Sequence, residues 1–323
     1  LKLIVVQVVF HKLSPHETLF LESTVKTVQY DVDHSSIVHF KVWDFPGSMA
    51  SEEPYFDDKR GFQSAGAVLF VIDAQDEYLP SISYLVSTVE RAYNVNRRIF
   101  FEVFIHKVDG LSEARKLELQ REISHQVTKE LANRGLDEAN VAFYLSSIYD
   151  HSVYENVSKV VQKLVPQLAT LENLLDILIS NCRMDKAFLF DVLTKVYIAT
   201  DSQPVDVQSF ELSSDMLDVV VDVSCIYGQV DDESDAIAFD YRSAATITLN
   251  NGMVLYMREV SKYLALVCLM RSENLQRLGL IEYNVQVLKQ ALKDVMMASQ
   301  TSNSRTPRQS DLGTVPSVES GGD

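Results

Sequence analysis

One short segment of the chain has the residue types and spacing of a phosphate site. Asp44-Phe45-Pro46-Gly47 follows a strand-like run at 37–43. An aspartate at a strand end can reach a magnesium ion through water, and the glycine amide can face a phosphate. The same Asp-x-x-Gly spacing also forms ordinary turns, and it recurs at 58–61, where no strand-like run precedes it. This segment alone leaves both interpretations open.

Two further polar segments follow strand-like runs. Segment 106–109 (His-Lys-Val-Asp) comes after the run 99–105, and segment 146–148 (Ser-Ser-Ile) comes after the run 141–145. In a doubly wound sheet, ligands bind beyond the carboxyl ends of the strands. Thr24 precedes them all, on a loop that could lie over a magnesium ion. In this order, the segments together predict a nucleotide site far more strongly than any one of them.

The first half of the chain alternates strand-like runs with helical stretches. The runs are rich in Val, Ile and Phe and too continuous for a sheet with one solvated face; they cover 37–43, 67–72, 99–105 and 141–145. The helical stretches cover 79–93, 114–133 and 151–168. This alternation predicts a mainly parallel sheet with helices on both faces.

From about Thr170 the pattern becomes that of an α+β unit. The predicted elements are helices at 171–180, 213–227 and 281–297, a strand pair within 186–200, and strands at 245–249, 253–259 and 263–271. Asn250-Asn251-Gly252 is a favourable hairpin turn because asparagine and glycine tolerate positive φ. After Ala298 the chain has few apolar residues, which predicts a disordered tail.

The composition limits the classes of partner. The 323 residues suggest two domains, and 45 acidic against 29 basic residues give a net charge of −16, which disfavours nucleic acid or a bare anionic membrane as direct partner. The three cysteines are far apart in apolar segments, as in a reducing compartment. No run is long enough to span a bilayer and no signal-peptide pattern is present. We expect a cytoplasmic protein that reaches membranes only through partners.

The polar segments match the guanine-nucleotide motifs of small GTPases, and longer stretches resemble the C/D-type branch of the Rag GTPases. The resemblance covers Val8 to about Ala298, and His106 before Lys-x-Asp is typical of that branch. The stretches that carry it are VVFHKLSPHETLFLEST, VWDFPG, VLFVIDAQD, FEVFIHKVDGLS, FYLSSIYDHS, KVVQKLVPQLATLENLL, KAFLFDVLTKVYIATDSQPVD and VVVDVSCIYG.

The resemblance implies a fold and a set of partners. Residues 1–169 would form an α/β, Ras-like G domain, doubly wound and mostly parallel but N-terminally truncated. Residues 170–298 would form an α+β, roadblock/longin-like dimerisation domain, followed by the tail 299–323. The family binds GTP or GDP with Mg and forms obligate heterodimers with an A/B-type Rag GTPase. Such heterodimers reach lysosomes or vacuoles through a lipid-anchored scaffold complex and recruit the TOR kinase complex when amino acids are plentiful.

The resemblance assigns four residues to the two switches. Thr18 and Thr24 would belong to the first, and Asp44 and Gly47 to the second, with Thr24 and Asp44 at the magnesium ion. Ser48 follows where small GTPases usually have a glutamine that orients the attacking water. Serine is too short for that reach, so we expect no catalytic residue and very poor hydrolysis.

The remaining site residues would surround the guanine base. The carboxylate of Asp109 would accept hydrogen bonds from N1–H and the exocyclic amine. The aliphatic stem of Lys107 would lie on the purine face, beside His106. A backbone amide near Ser147 or Ile148 would meet O6.

The sequence departs from the family at the phosphates. GTPases hold the β- and γ-phosphates with Gly-x-x-x-x-Gly-Lys-Ser/Thr, and this chain contains no Gly-Lys dipeptide. One interpretation is a fragment of an ordinary C/D-type GTPase, which the intact base-recognition residues favour. The other is an isoform that acts as a nucleotide-free pseudo-GTPase scaffold through its roadblock-type domain alone.

Overall fold

The computed structural model describes residues 2–22, 24, 27–32, 40–45, 58–227, 239, 243–261 and 263–303. The first half contains the strands β1 (Val28–Val32), β2 (Phe40–Asp44), β3 (Ala67–Asp73), β4 (Phe100–His106) and β5 (Val141–Ser146). Its helices are α1 (Lys2–His11), α2 (Asp58–Ser64), α3 (Leu79–Val95), α4 (Glu113–Asn133) and α5 (Ser152–Leu164). The expected alternation of strands and helices is confirmed from β3 onwards.

Strands β3, β4 and β5 form a parallel sheet with apolar packing on both faces. On one face, Phe101 and Val103 of β4 pack in a cluster with buried residues of α3 and α4. On the other face, Phe104 packs with Val5 of α1 and Val153 of α5. Because both faces are covered, the strands are continuously apolar, as the sequence indicated. Because the three strands run parallel, their carboxyl ends lie at the same edge of the sheet.

The N-terminal region contains one helix that was not predicted and one strand that pairs differently from the prediction. Helix α1 has four buried valines, of which Val5 and Val9 pack in one cluster with Val71 and Phe104 of the parallel sheet. This packing overrides the strand preference of the valine-rich stretch. The run at 37–43 does not join the parallel sheet: β2 pairs antiparallel with β1, and residues 33–39 lie outside the described part.

The predicted helix at 151–168 is also divided. Helix α5 ends at Leu164, and the next helix, α6, begins at Leu168. Pro166 accounts for the break, because a proline disfavours the helical conformation of the residue before it. The two halves of the chain therefore join at the turn 165–167, slightly before the expected boundary at 169–170.

The second half is a five-stranded antiparallel sheet with helices on both faces. Its strands are β6 (Lys186–Asp191), β7 (Tyr197–Thr200), β8 (Ala244–Thr248), β9 (Met253–Ser261) and β10 (Leu264–Arg271), in the order β7-β6-β10-β9-β8. Its helices are α6 (Leu168–Cys182), α7 (Val207–Tyr227), α8 (Ser272–Leu275) and α9 (Leu278–Asn303). Apolar residues of α6 and α9 cover one face of the sheet and those of α7 the other. The α+β prediction for this half is confirmed.

The hairpin turn between β8 and β9 forms as predicted, whereas the final helix is longer than predicted. The hairpin between β8 and β9 closes with Leu249 N–H donating to the carbonyl of Met253 at 2.8 Å, and Gly252 has a φ of 81°, as that turn requires. Helix α9 continues past Ala298 to Asn303, so it extends into the segment expected to be disordered; residues 304–323 lie outside the described part. None of the helices in the described part of the chain combines the length and the apolar composition that a membrane span requires.

Helix α5 covers the outer edge of β7. The hydroxyl oxygen of Ser158 accepts from the backbone N–H of Tyr197 at 3.0 Å, and the amide of Gln162 donates to the carbonyl of the same tyrosine at 3.3 Å. These side chains take the place of a neighbouring strand. A helix of the first half thus closes one edge of the sheet of the second half.

A buried ion pair lies in the second half. The ammonium of Lys186 is 3.1 Å from Asp201, and the two side chains are only 5% and 0% exposed. Lys186 also donates to the carbonyl of Gln203 at 2.6 Å, and Asp201 accepts from the N–H of Ala187 at 2.9 Å. Buried charges of this kind are tolerated only with such partners.

Candidate functional site

The strand register brings the polar segments together at one edge of the parallel sheet. Asp73 at the end of β3 is paired with His106 at the end of β4, which is paired in turn with Ser146 at the end of β5. The segments 106–109 and 146–148 therefore lie side by side, as expected for neighbouring carboxyl ends.

His106 is a buried residue that joins two strands at this edge. Its side chain is 1% exposed, and its Nδ1 lies 2.8 Å from the hydroxyl oxygen of Ser146. Burial, with a smaller contribution from the positive charge of Lys107, lowers the pKa of His106 to about 4. The imidazole is therefore neutral at physiological pH and links β4 to β5.

The lowered pKa of His106 predicts a loss of stability in acid. The unfolded chain binds a proton near the ordinary value of 6.5, and the folded chain only near 4. The free energy of unfolding should therefore fall as pH drops from 6.5 towards 4, by about 1.4 kcal/mol per pH unit and about 3 kcal/mol in total. Urea unfolding at several pH values measures this fall, which His106→Asn should remove.

Carboxylates also titrate in this range, so the comparison between variants decides. His125→Asn is the matched control, because His125 is exposed on α4 and should leave the wild-type slope unchanged. Equal pH slopes in wild type and His106→Asn would contradict the prediction.

Asp109 is exposed but held in one orientation. Its Oδ1 accepts from the hydroxyl of Ser147 at 2.7 Å. Ser147 is fully buried and fixed in turn: its N–H donates to the hydroxyl oxygen of Ser152 at 2.9 Å, and its own hydroxyl oxygen accepts from the N–H of Tyr149 at 3.1 Å. An exposed carboxylate on so rigid a support can accept hydrogen bonds from a ligand with little loss of freedom.

Lys107 has two neighbours that the sequence reasoning missed. Its backbone φ of 64° is left-handed, its ammonium lies 2.5 Å from Asp73, and its carbonyl accepts from the side-chain amide of Gln75 at 3.0 Å. The available signal was position: Asp73 and Gln75 follow the run 67–72 as the recognised segments follow theirs.

Thr24 and Asp44 meet as the sequence suggested. The Thr24 hydroxyl donates to Asp44 Oδ2 at 2.7 Å. Asp44 is 3% exposed, and its Oδ1 has no hydrogen-bond partner among the described residues. A buried carboxylate oxygen without a donor fits a magnesium ion or one of its waters. Lys2, also missed from the sequence, lies near: burial lowers its pKa, and the charge of Asp44 opposes that shift.

The remaining predicted residues are Thr18, Ile148 and Gly47, with Ser48 beside the last. Thr18 is buried, and its hydroxyl donates to the carbonyl of Pro15 at 2.7 Å, within its own turn. Ile148 is buried next to Ser147 at the base segment. Gly47 and Ser48 lie outside the described residues.

The donor set therefore fits the base and the metal better than the phosphates. Asp109, Lys107 and the backbone beside Ser147 suit a guanine, and Asp44 with Thr24 suits magnesium. When bound, magnesium neutralises phosphate oxygens and polarises the terminal phosphoryl group. The sequence contains no Gly-Lys pair that would cradle those phosphates.

Comparisons with known proteins agree with this fold. The Gtr1/RagA G protein conserved region matches residues 2–217. Ras-related GTP-binding protein C of Homo sapiens is 52% identical over 98% of this chain and 79% of its own length. The GTP-binding protein gtr2 of Schizosaccharomyces pombe is 49% identical over 90% of this chain and 92% of its own length. Ras-related GTP-binding protein B of Rattus norvegicus is 24% identical over 55% of this chain and 49% of its own length.

Solved structures share only a slight likeness. Myxococcus xanthus MglB aligns with 41% of this chain and 92% of its own, at 16% identity and a TM-score of 0.32. A Roadblock/LC7 domain from Streptomyces avermitilis aligns with 39% and 97%, at 15% identity and a TM-score of 0.29. These scores support no argument about function. The family match and the sequence identities show instead that this chain belongs to the Gtr1/RagA family of G proteins, in its C/D-type branch.

Proposed function

We propose that this chain is the C/D-type subunit of a Rag-type signalling heterodimer. It pairs with an A/B-type Rag through its second half and recognises guanine nucleotide with magnesium through its first half. At the lysosomal or vacuolar surface, where a scaffold complex holds it, the heterodimer relays amino-acid sufficiency to the TOR kinase complex. The observation that carries the proposal is a strand edge that no other described strand pairs with, together with an exposed apolar helix face on the same sheet of the second half.

The open edge belongs to β8. No other strand in the described part of the chain pairs with its outer side, whereas α5 covers β7 at the opposite edge. Hydrogen bonds to β9 at Leu249 and Ser243 fix the alternation of the antiparallel ladder. The backbone groups of Ala244, Thr246 and Thr248 therefore point away from β9, where another strand can pair with them.

Helix α7 supplies the apolar contact on the same sheet. Val219, Val223 and Ile226 are exposed and recur every three or four residues, so they form one stripe. The helix packs on the sheet face that includes the side chains of Ala245 and Ile247. The helix that carries the stripe thus covers the sheet that ends at β8, and a partner of the same fold could extend the sheet and stack a helix in one step.

Proline at the open edge tests this pairing. Thr246→Pro removes an N–H that points away from β9 and leaves the β8–β9 ladder intact. We expect Thr246→Pro and Val223→Asp to abolish co-purification with an A/B-type Rag, measured by affinity capture and light scattering of the co-expressed pair. The matched controls Thr246→Ala and Ile177→Asp, the latter on the exposed face of α6, should still pair. A folded Thr246→Pro chain that still forms the heterodimer would overturn this arrangement.

The nucleotide part of the proposal rests on the base segments. Asp109, oriented by Ser147, is suited to the two donors of guanine, which adenine does not offer in that pattern. Thr24 and Asp44 would hold magnesium, and this role is supported by Asp44 Oδ1, which has no hydrogen-bond partner among the described residues. Residues up to the turn 165–167 form the G domain in this proposal, and the residues from α6 to α9 form the roadblock-type domain.

A nucleotide-free scaffold is the second candidate function. It is favoured by the engagement of the Thr18 hydroxyl, which donates to the carbonyl of Pro15 within its own turn. In that case the second half alone would act, through the same β8 edge and α7 stripe. The nucleotide content of the purified heterodimer separates the two candidates.

A further inference from the structure

We propose that Asp73 and Gln75 are positioning residues that fix Lys107 as one wall of the purine site. The inference rests on the proposed nucleotide function. The two residues lie at the end of β3, outside the segments that recognise the base, and they act through Lys107 rather than on a ligand.

The backbone of Lys107 is held first. Its φ of 64° lies in the left-handed region, a backbone conformation that residues other than glycine and asparagine seldom adopt. The side-chain amide of Gln75 donates to its carbonyl at 3.0 Å, and the N–H of Ala74 donates to the carbonyl of His106 at 2.8 Å. The end of β3 thus holds two successive peptide groups of the base segment.

The side chain of Lys107 is held second. Its ammonium lies 2.5 Å from Asp73 Oδ2, and Asp73 Oδ1 accepts from the N–H of Gln75 at 2.9 Å. Both oxygens of Asp73 are therefore engaged, and the carboxylate cannot turn away from the lysine. Asp73 has a side-chain exposure of 18%, so the pair is partly shielded from water.

An anchored ammonium leaves the four-carbon stem of Lys107 extended in a fixed place. The side chain is 42% exposed, so the stem is accessible to a ligand while its end is not free to move. A lysine stem presents apolar surface suited to the face of a purine. An unanchored lysine would lose its rotamer freedom on binding and weaken the interaction. The anchor should strengthen binding of any purine without choosing among them, because Asp109 makes that choice.

Acylation of lysines tests the anchor without any ligand. In the full chain with its A/B-type partner, Asp73→Asn should raise the reactivity of Lys107 with a succinimidyl ester several-fold, as read by mass spectrometry. Lys159 is the matched internal control: it is 41% exposed, and its ammonium lies 2.7 Å from Glu155 on α5. Its reactivity should not change in Asp73→Asn but should rise in Glu155→Gln. Unchanged Lys107 reactivity in Asp73→Asn would overturn the anchor and leave the nucleotide site standing.

Nucleoside binding tests the consequence. Guanosine and xanthosine at millimolar concentration are observed by saturation-transfer NMR with a heterodimer whose A/B-type partner has its own nucleotide site disabled, so that they report the base site of this chain alone. Asp73→Asn should weaken both by a similar factor, whereas Asp109→Asn should shift the preference towards xanthosine. A changed guanosine-to-xanthosine ratio in Asp73→Asn would contradict a purely positioning role. Failure of the wild type to bind guanosine, with normal Lys107 protection, would overturn the nucleotide site and the purpose assigned to the anchor.

Discussion

The 323-residue polypeptide, purified with an A/B-type Rag whose own nucleotide site is disabled, should carry no stoichiometric GTP or GDP. In P-loop proteins much of the affinity comes from backbone amides, a lysine and magnesium on the phosphates. This sequence has no Gly-Lys pair to provide the first two. Thr24 and Asp44 cannot replace them, because they reach a magnesium ion that the phosphates must already hold. Denaturing the complex and quantifying the released nucleotide by chromatography measures the content.

The same experiment has a gain-of-function arm. Placing a Gly-x-x-x-x-Gly-Lys-Ser loop ahead of Gln7 should raise the content to one equivalent of guanine nucleotide. The same loop with its lysine replaced by alanine is the matched control and should remain largely empty. One equivalent of guanine nucleotide from the unmodified chain would show that phosphate binding does not depend on such a loop.

Removing one partner of the buried ion pair should destabilise the second half severely. Asp201→Asn leaves the ammonium of Lys186 buried without its carboxylate, and a broken buried pair costs about 3–5 kcal/mol. That is a large share of the roughly 5–15 kcal/mol by which a protein of this kind is stable. Urea unfolding followed by circular dichroism should show a lower midpoint.

The half-exposed pair of Lys195 and Asp218 provides the control. Its ammonium and carboxylate are 2.7 Å apart but partly solvated, so Asp218→Asn should cost less than about 1 kcal/mol. The double change Lys186→Met with Asp201→Asn should cost less than Asp201→Asn alone, because it removes the unpaired charge. A loss below about 1 kcal/mol for Asp201→Asn would mean that water reaches the ammonium.

The sequence predicts best where local pattern and packing agree. Strands β3, β4 and β5 lie within a residue or so of the predicted runs because both faces of their sheet are covered, which makes the apolar run itself the signal. Helix α1 was not predicted, since a valine-rich stretch favours a strand until its packing against Val71 and Phe104 is known. The end of α5 could have been predicted from Pro166 alone. The apolar periodicity continues past this proline, which is why the helix was predicted to extend to residue 168.

The candidate site also contains residues that the sequence can identify and residues that it cannot. Segments with a recognisable spacing, such as 106–109, can be identified from the order of their residues alone. Asp73 and Gln75 cannot, because their contacts with Lys107 depend on the register that pairs Asp73 with His106. Lys2 was missed because its relation to Asp44 joins a helix start to the end of a strand that pairs in another sheet.

The cover that α5 gives to β7 determines how many subunits can join. A sheet with two open edges can add a neighbour at each end, and such head-to-tail addition has no natural limit, so it yields fibres. Ser158 and Gln162 occupy the backbone of Tyr197 at one end of this sheet, so that among the described residues its unpaired edge is that of β8. In the proposed heterodimer, two such sheets that pair through β8 have no further free edge within the described residues, and addition of strands stops at a pair. The helix that begins beside the base segment would thus also keep the proposed assembly finite.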